Sequence, residues 1–257
     1  MLSVVIITKN EEANIRRCLS SVEWADEIIV LDSGSEDNTV AIAKEFTDMV
    51  FETKWSEWQG YGVQKQRALD YATGDWVLNL DADESVDNHL RSAIIHAIKV
   101  NDFDAYRVPI RMCFYDKLLR YSSSPKRHIR LFKRKDAGFS KDIVHEKILL
   151  PQGTKIGKLR SAIIHHGVRD ISHLLYKINH YSSCSAKTRL DEKKQTNLFK
   201  TICGASWMFF RCYVLQRGFL DGKEGLLFAF FNSQGTFYRG IKQLYYDRCV
   251  DNDHIKK

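Results

Sequence analysis

Asp81-Ala82-Asp83 sets two carboxylates one residue apart, directly after the apolar run Trp76-Val77-Leu78-Asn79-Leu80. Carboxylate oxygens are the ligands that hard divalent cations take. Residues two apart on extended chain face the same side, so both carboxylates can converge on one cation with a diphosphate on its far side. The preceding run reads as a buried parallel strand, and open α/β sheets bind ligands beyond the carboxyl ends of such strands. A bare pair of this kind more often marks an exposed acidic turn. The strand before it, Glu84 after it and the alternation upstream favour a site.

The elements that must position this pair alternate along the first 110 residues. Ser3 to Thr8 is an apolar strand, and Ile15, Cys18, Leu19 and Val22 follow at helical spacing. Glu27 to Leu31 is a second strand ending in Asp32, and Ser35 or Asp37 can cap a helix running to Phe46. Met49 to Glu52 is a third strand. A helix through Val63, Ala68, Leu69 and Ala72 is expected to close at Gly74 as its C-cap. Leu90 to Ile98 is amphipathic, and Asp104 to Ile110 returns as a strand. This alternation predicts a parallel sheet with helices on both faces. The chain lacks both G-x-G-x-x-G after its first strand and G-x-x-x-x-G-K-[ST], which argues against dinucleotide oxidoreductases and P-loop NTPases.

With 257 residues, 44% of them hydrophobic, the chain can bury a core of its own. The N-terminus reads as a strand rather than a signal peptide. No apolar run reaches the length of a membrane span. Six scattered cysteines without a C-x-x-C pair suggest reduced thiols in a cytosolic protein. Charge is uneven. Residues 1–100 carry 9 Lys+Arg against 18 Asp+Glu, net −9, and residues 101–257 carry 30 against 14, net +16. The basic part suits a polyanion: nucleic acid, anionic lipid or a phosphorylated substrate.

Three strand ends now offer polar groups to one crevice: Thr8 with Asn10 and Glu11, Asp32, and Asp81 with Asp83. Asp32 can accept from a base N–H or a ribose hydroxyl, or it can cap a helix. The runs VVIITKNEE (4–12), VLDSGSEDNT (30–39) and WVLNLDADE (76–84), in that order, resemble an inverting family 2 glycosyltransferase of GT-A fold. The subgroup the chain resembles most is that of the lipopolysaccharide core β-1,4-glucosyltransferases. The likeness extends over Trp58 to Gly62, Gln64-Lys65, Arg130-Leu131-Phe132, Val144-His145-Glu146 and Gly218 to Gly222, nearly the whole chain. Arg67 departs from it, standing where relatives often carry a smaller residue.

The resemblance implies a Rossmann-like, mostly parallel sheet flanked by helices, over residues 1–168. A helical, basic and aromatic C-terminal region, 169–257, would contact acceptor or membrane. It implies that Thr8 and Asp32 contact uracil, that Glu11 lies on the ribose side, and that Asp81 lies near ribose and metal. Asp83 would bind the metal, and Lys65 and Arg130 would face the diphosphate. Oxygen ligands suit Mn²⁺ or Mg²⁺, and a nearby imidazole favours Mn²⁺; His165, after Ala162-Ile163-Ile164, is the candidate ahead of His166. Inversion needs a base opposite the leaving group: Glu146 first, Asp142 second. The implied reaction moves a sugar, glucose in that subgroup, from a UDP-sugar to a phosphorylated glycolipid such as the lipopolysaccharide inner core. Another acceptor (capsule, other polysaccharide or protein) is the alternative.

In the C-terminal third, Trp207 to Phe210, Tyr213 to Leu215, Phe219-Leu220 and Leu226 to Phe231 form an apolar and aromatic series broken by Lys200, Arg211, Arg217 and Lys223. Such a series suits an anionic membrane interface, cover for the sheet, or a dimer contact. The first agrees with a peripheral position on the inner face of the cytoplasmic membrane. A nucleic-acid-binding module is disfavoured, because the aromatics cluster with aliphatics instead of alternating with Arg and Lys as stacking platforms. No nucleic acid partner is expected.

Overall fold

The computed structural model describes residues 1–54, 60–114, 117–122, 127–140, 147–168 and 170–246. The chain forms two compact units, Met1–Arg111 with Pro125–Gly167 and Met112–Ser124 with Val168–Lys257.

In the first unit the strands are β1 (Leu2–Thr8), β2 (Glu27–Asp32), β3 (Val50–Glu52), β4 (Trp76–Asp81), β5 (Glu84–Ser85), β6 (Ala105–Phe114, which runs on into the second unit), β8 (Arg127–Lys133), β9 (Gly138–Phe139), β10 (Ile148–Leu149), β11 (Ile156–Lys158) and β12 (Ile163–Val168). The short β7 (Lys117–Leu118) belongs to the second unit. The sheet order is β3-β2-β1-β4-β8-β6, with β11 beside β6. The first four strands are parallel, and β8 enters antiparallel between β4 and β6. Sequence alternation foretold the parallel strands but not β8, because no helix separates it from its neighbours.

Helices α1 (Glu12–Ser20), α2 (Thr39–Ala43) and α4 (Asn88–Val100) give Ile15, Cys18, Leu19, Ala43, Leu90, Ile94 and Ala97 to one core. Helix α3 (Tyr61–Asp70) gives Ala68 and Leu69 to a second core on the other face, with Val5, Ile29, Val77 and Phe132. The expected helix to Phe46 is shorter, since α2 ends at Ala43. Gly74 is not a C-cap either: α3 ends at Asp70. Gly74 instead donates its N–H to Ser3 Oγ at 2.9 Å, and a Cβ there would lie 2.6 Å from that oxygen. Close approach to β1, not helix termination, demands glycine.

The second unit holds α5 (Ile171–Asp191), α6 (Leu198–Phe210) and α7 (Lys223–Leu244), with a π-helical turn over Arg211–Leu215 and a 3-10 turn over Gly218–Asp221 between α6 and α7. Asp221, buried, fastens the residues after β7 to this turn. Its Oδ1 accepts from the Arg120 N–H (3.0 Å), and its Oδ2 from the N–H groups of Tyr121 (3.0 Å) and Ser122 (2.7 Å) and from the Ser122 hydroxyl (2.6 Å). Lys117 donates to the Asp221 carbonyl at 2.6 Å and to Glu224 at 3.0 Å. Burial opposes ionisation of Asp221, but the Ser122 hydroxyl and these N–H groups outweigh it and hold its pKa below the ordinary carboxyl value. Among the described residues no helix is long and apolar enough to cross a membrane.

Asp221→Asn turns an acceptor toward the donors with a donor of its own, and is expected to cost about 1–3 kcal/mol of stability near neutral pH, measured by urea denaturation. Because the folded pKa is lowered, the carboxylate's contribution is complete above the unfolded value and is lost as pH falls through the folded value. The gap between wild type and variant should therefore close in acid.

Candidate active site

The parallel register sets three strand ends level. Thr8 pairs with Asp32 across β1 and β2, and Ile7 pairs with Asp81 across β1 and β4. The loops beyond β1 and β2 are laced together. Asn10, at φ 55°, donates its N–H to Ser35 Oγ (2.8 Å) and accepts from the Glu36 N–H (2.8 Å). Glu11 donates its N–H to Thr39 Oγ1 at 2.8 Å, and its carboxylate accepts from Asn14 at 2.8 Å. Asp32 turns into its own loop, accepting from the N–H groups of Gly34 (2.8 Å) and Ser35 (2.7 Å) and from the Ser35 hydroxyl. Thr8 Oγ1 is buried without a hydrogen-bond partner among the described residues. An orphaned hydroxyl at a strand end is a group that a ligand can satisfy.

The carboxylates after β4 do not continue in extended chain. Asp81 ends the strand, and Ala82 and Asp83 form a turn before β5. Asp81 faces two cations: Oδ1 lies 2.9 Å from Lys65 Nζ, and Oδ2 lies 2.9 Å from Arg130 Nη2. The same Arg130 nitrogen reaches Glu84 Oε1 at 2.7 Å, while Glu84 Oε2 accepts the Asp81 N–H at 2.9 Å. The side chains of Lys65, Arg130 and Glu84 are buried at 7, 9 and 2% exposure, whereas Asp81 is 35% exposed. Burial opposes ionisation of Asp81, but the Arg130 and Lys65 charges outweigh it and hold the carboxyl well below the usual range. Burial pushes Glu84 the other way, to about 7, with the Asp81 charge adding to the shift.

Arg130 reaches this network through a bulge. Tyr106 pairs with Leu131 and Arg107 with Ile129, leaving Arg130 as the extra residue of β8. A bulge re-aims one side chain without disturbing the alternation on either side. Sequence periodicity gives no sign of it.

Asp83 meets His165 at 3.0 Å, and the Asp83 carbonyl accepts the His166 N–H at 2.7 Å. The pairing of β12 with β5, Ile164 with Ser85 and His165 with Glu84, makes this contact. His166 turns elsewhere, to Ser85 Oγ at 2.9 Å. A Cβ on Gly167 would lie 2.8 Å from the His165 ring, so glycine there leaves the imidazole its space. Burial disfavours the charged ring, but the hydrogen bond and charge of Asp83 outweigh it and raise the His165 pKa. Among the described residues no group of three or more His, Cys, Asp or Glu side chains is gathered for a metal. The donors that do meet, Asp83 oxygen and His165 nitrogen, fit a divalent ion of the Mn²⁺ kind; Asp81 is turned to its cations.

On α3, Gln64 is fully buried and donates to Ser33 Oγ and Thr53 Oγ1, both at 2.9 Å, while Arg67 donates to Gln64 Oε1 at 2.9 Å. Arg67 thus has a local role in holding the loop side of α3. Gln66 accepts the Phe139 N–H at 2.8 Å and ties the β9–β10 hairpin to the same helix. Ser140 and Lys147 close that hairpin, by Ser140 N–H to the Lys147 carbonyl at 2.8 Å. Asp142, His145 and Glu146, with both base candidates, lie outside the described residues, as do Trp58 and Gln59. The part played by Glu84 went unseen in the sequence, where only its place after the acidic pair could signal it.

The family model for glycosyl transferase family 2 matches residues 3–149. An uncharacterized glycosyltransferase of Rickettsia felis is 32% identical over 250 residues, covering 89% of this chain and 86% of that one. The lipopolysaccharide core biosynthesis glycosyltransferase LpsC of Rhizobium meliloti is 29% identical over 93% of this chain and 92% of its own. Among solved structures, S. aureus TarS 1-349 in complex with UDP-GlcNAc superposes with a TM-score of 0.51 at 14% identity, covering 96% of this chain and 91% of that one. The fold is GT-A, the sheet and helices are those of a transferase, and the chain belongs to glycosyl transferase family 2.

Proposed function

We propose that this glycosyltransferase is inverting and divalent-metal-dependent, and that it moves glucose from UDP-glucose to a phosphorylated glycolipid such as the lipopolysaccharide inner core. The observation that carries the reading is the buried pair of cations, Lys65 and Arg130, held on Asp81 at the carboxyl edge beside Asp83 and His165. Sugar transfer from a nucleotide requires that the charge of the departing diphosphate be neutralised. Lys65 and Arg130 are prepared for that charge, since both are paired with the partly exposed Asp81, and Arg130 is also held by the buried Glu84. Asp83 and His165, with Asp81 beside them, would hold Mn²⁺ or Mg²⁺, which would supply the remaining neutralisation without proton transfer.

Thr8, with its unsatisfied hydroxyl, and Asp32 receive the uracil, and Glu11 lies on the ribose side. Glu146 takes the acceptor hydroxyl's proton, with Asp142 the second choice. The glycolipid acceptor is supported by the name of LpsC and by the second unit. There, Phe199, Trp207, Leu215 and Leu220 are 76, 57, 56 and 52% exposed, interleaved with exposed Lys200, Arg211, Arg217 and Lys223. The acids of the same stretch are withdrawn: Asp221 is buried and Glu224 is paired with Lys117. An apolar surface whose exposed charges are basic suits the interface of an anionic leaflet, and it supports a peripheral position on the cytoplasmic membrane.

Thermal stability across a panel of nucleotide sugars, with and without Mn²⁺, tests the donor. A ligand at 100 times its Kd adds about 2.7 kcal/mol. A Mn²⁺-dependent shift with UDP-glucose, lost in Asp83→Ala, is expected; a shift unchanged in that variant removes Asp83 from the metal. Glu146→Gln should keep donor binding and lose about 10²–10⁴-fold in turnover, read in a transfer assay; unaltered turnover moves the base elsewhere. Sedimentation with vesicles should show binding to phosphatidylglycerol-containing bilayers, weakened in Trp207→Ser/Leu220→Ser; equal binding by the variant overturns the membrane contact.

A further inference from the structure

The strands beside the crevice carry a second group of cations that the donor reading does not use. Lys158 on β11 stands directly opposite Arg107 on β6 in the parallel pair. In the antiparallel pair Arg107 faces Ile129 and Pro109 faces Arg127 on β8. Directly paired residues share a sheet face, and so do residues two apart on one strand. Lys158, Arg107, Arg127 and Arg111 therefore lie on one face, together with Pro109, Ile129 and Ile156 and with no acidic residue among those positions. Lys158, Arg107 and Arg127 are exposed and Arg111 is half-buried.

None of these four side chains has a hydrogen bond or an ion pair with any described residue. The contrast is with their own strands. Arg130 and Lys133 of β8 are both paired, with Asp81 and Glu84 and with Asp104. Lys158 and Arg107 set two like charges side by side on adjacent strands, a repulsion that an anion between them relieves. Arg127 is diagonal to both Arg107 and Arg111, at spacings of about 7–8 Å. Guanidinium groups so placed can each grip a phosphate through two parallel N–H bonds. Position adds a reason. Strand β6 runs parallel to β4, and β8 runs against both. Arg111 near the end of β6 and Arg127 at the start of β8 therefore lie on the carboxyl edge where Asp81 meets Arg130.

We propose that Lys158, Arg107, Arg127 and Arg111 form an anion subsite of this enzyme that grips phosphate groups of the acceptor. This rests on the reading of the acceptor as phosphorylated, and it adds where the phosphates are held. The shared ligand chemistry is a phosphate monoester or diphosphate, carried either on the saccharide or on a lipid headgroup.

The test uses the full chain and an Arg107→Gln/Arg111→Gln/Arg127→Gln variant, with UDP present at saturation so that the donor crevice is filled. Inorganic pyrophosphate is titrated by calorimetry, and in a second arm phosphatidylcholine vesicles with and without phosphatidic acid are sedimented. Wild type should bind pyrophosphate, and the triple variant should bind it on the order of tenfold or more weakly, with UDP affinity unchanged. The corresponding triple Lys variant, which keeps the charge and loses the fork, should fall between. Exposed Arg127→Glu alone should weaken binding if the triple variant does not fold. Loss with pyrophosphate alone points to phosphate on the saccharide. Loss that extends to phosphatidic acid vesicles points to the headgroup. Pyrophosphate and vesicle binding that the variants leave unchanged, or that wild type lacks, overturns the subsite. Absence of UDP binding by wild type would instead refute the donor reading, and the pyrophosphate arm would still decide the subsite.

Discussion

The ion network of Lys65, Asp81, Arg130 and Glu84 is the constraint on which the rest of the candidate site depends. An ammonium and a guanidinium are buried at a strand end, each at a desolvation cost of several kcal/mol. Two carboxylates offset that cost, and the geometry leaves little slack. Arg130 Nη2 serves Asp81 at 2.9 Å and Glu84 at 2.7 Å, and Glu84 in turn holds the Asp81 N–H. The carboxylates divide into an inner and an outer one. Glu84, enclosed, is pushed up by burial, whereas Asp81, partly exposed, is held ionised by its cations. The outer carboxylate is the one a ligand meets first, so in the proposed reaction an arriving diphosphate would compete with Asp81 for the two cations while Glu84 keeps Arg130 in place.

That network links elements that are distant in sequence: α3 through Lys65, β4 through Asp81, β5 through Glu84 and the bulge of β8 through Arg130. The antiparallel strand is what makes the link. A further parallel strand would bring its own carboxyl end, and its own loop, to the edge. By running against β4, β8 brings Arg130, from its middle, beside the end of β4 instead, and the bulge re-aims that side chain. Fixing Asp81 also frees Asp83. The turn after β4 points Asp83 away from the cations toward β12, where His165 meets it across the short pairing with β5. One acidic dipeptide pattern thus divides its charges between fixed cations and an imidazole.

Much of this was legible in the sequence, and the legible part has a physical character. Buried parallel strands advertise themselves as short apolar runs, so β1, β2 and β4 and the polar residues at their ends could be read directly. Thr8 does pair with Asp32, and Asp81 stands opposite Ile7, one residue before Thr8. What escaped depends on contacts between residues far apart in the chain. Gly74 looked like a helix cap because it follows a helix, yet its lack of a side chain serves the approach to Ser3. Asp81 and Asp83 looked convergent because extended chain alternates with period two, and the turn at Ala82 breaks that period. Asp32 was read either toward a base or as a cap, and its carboxylate orders Gly34 and Ser35. Gly218 to Gly222 carried a family likeness without a stated reason; the buried Asp221 among its N–H donors supplies one.

The charge asymmetry along the chain acquires a consistent meaning from these placements. The acidic first hundred residues spend much of their charge internally: Asp32 and Asp37 on loop N–H groups, Asp81 and Glu84 on cations, Asp83 on His165. The basic excess after residue 100 is not spent in the same way. Lys158, Arg107, Arg127 and Arg111 on the sheet, and Lys200, Arg211, Arg217 and Lys223 in the second unit, are either unpaired or exposed. A solvated surface with charges of both signs would neutralise itself locally at little cost. Around the candidate site the acids are held by loop N–H groups, cations and an imidazole, whereas most of the cations named above are exposed, so their field is directed at what arrives from solution. The proposed diphosphate donor, phosphorylated acceptor and anionic leaflet would all carry the opposite sign. Attraction to each is strongest at low ionic strength, where screening is weakest.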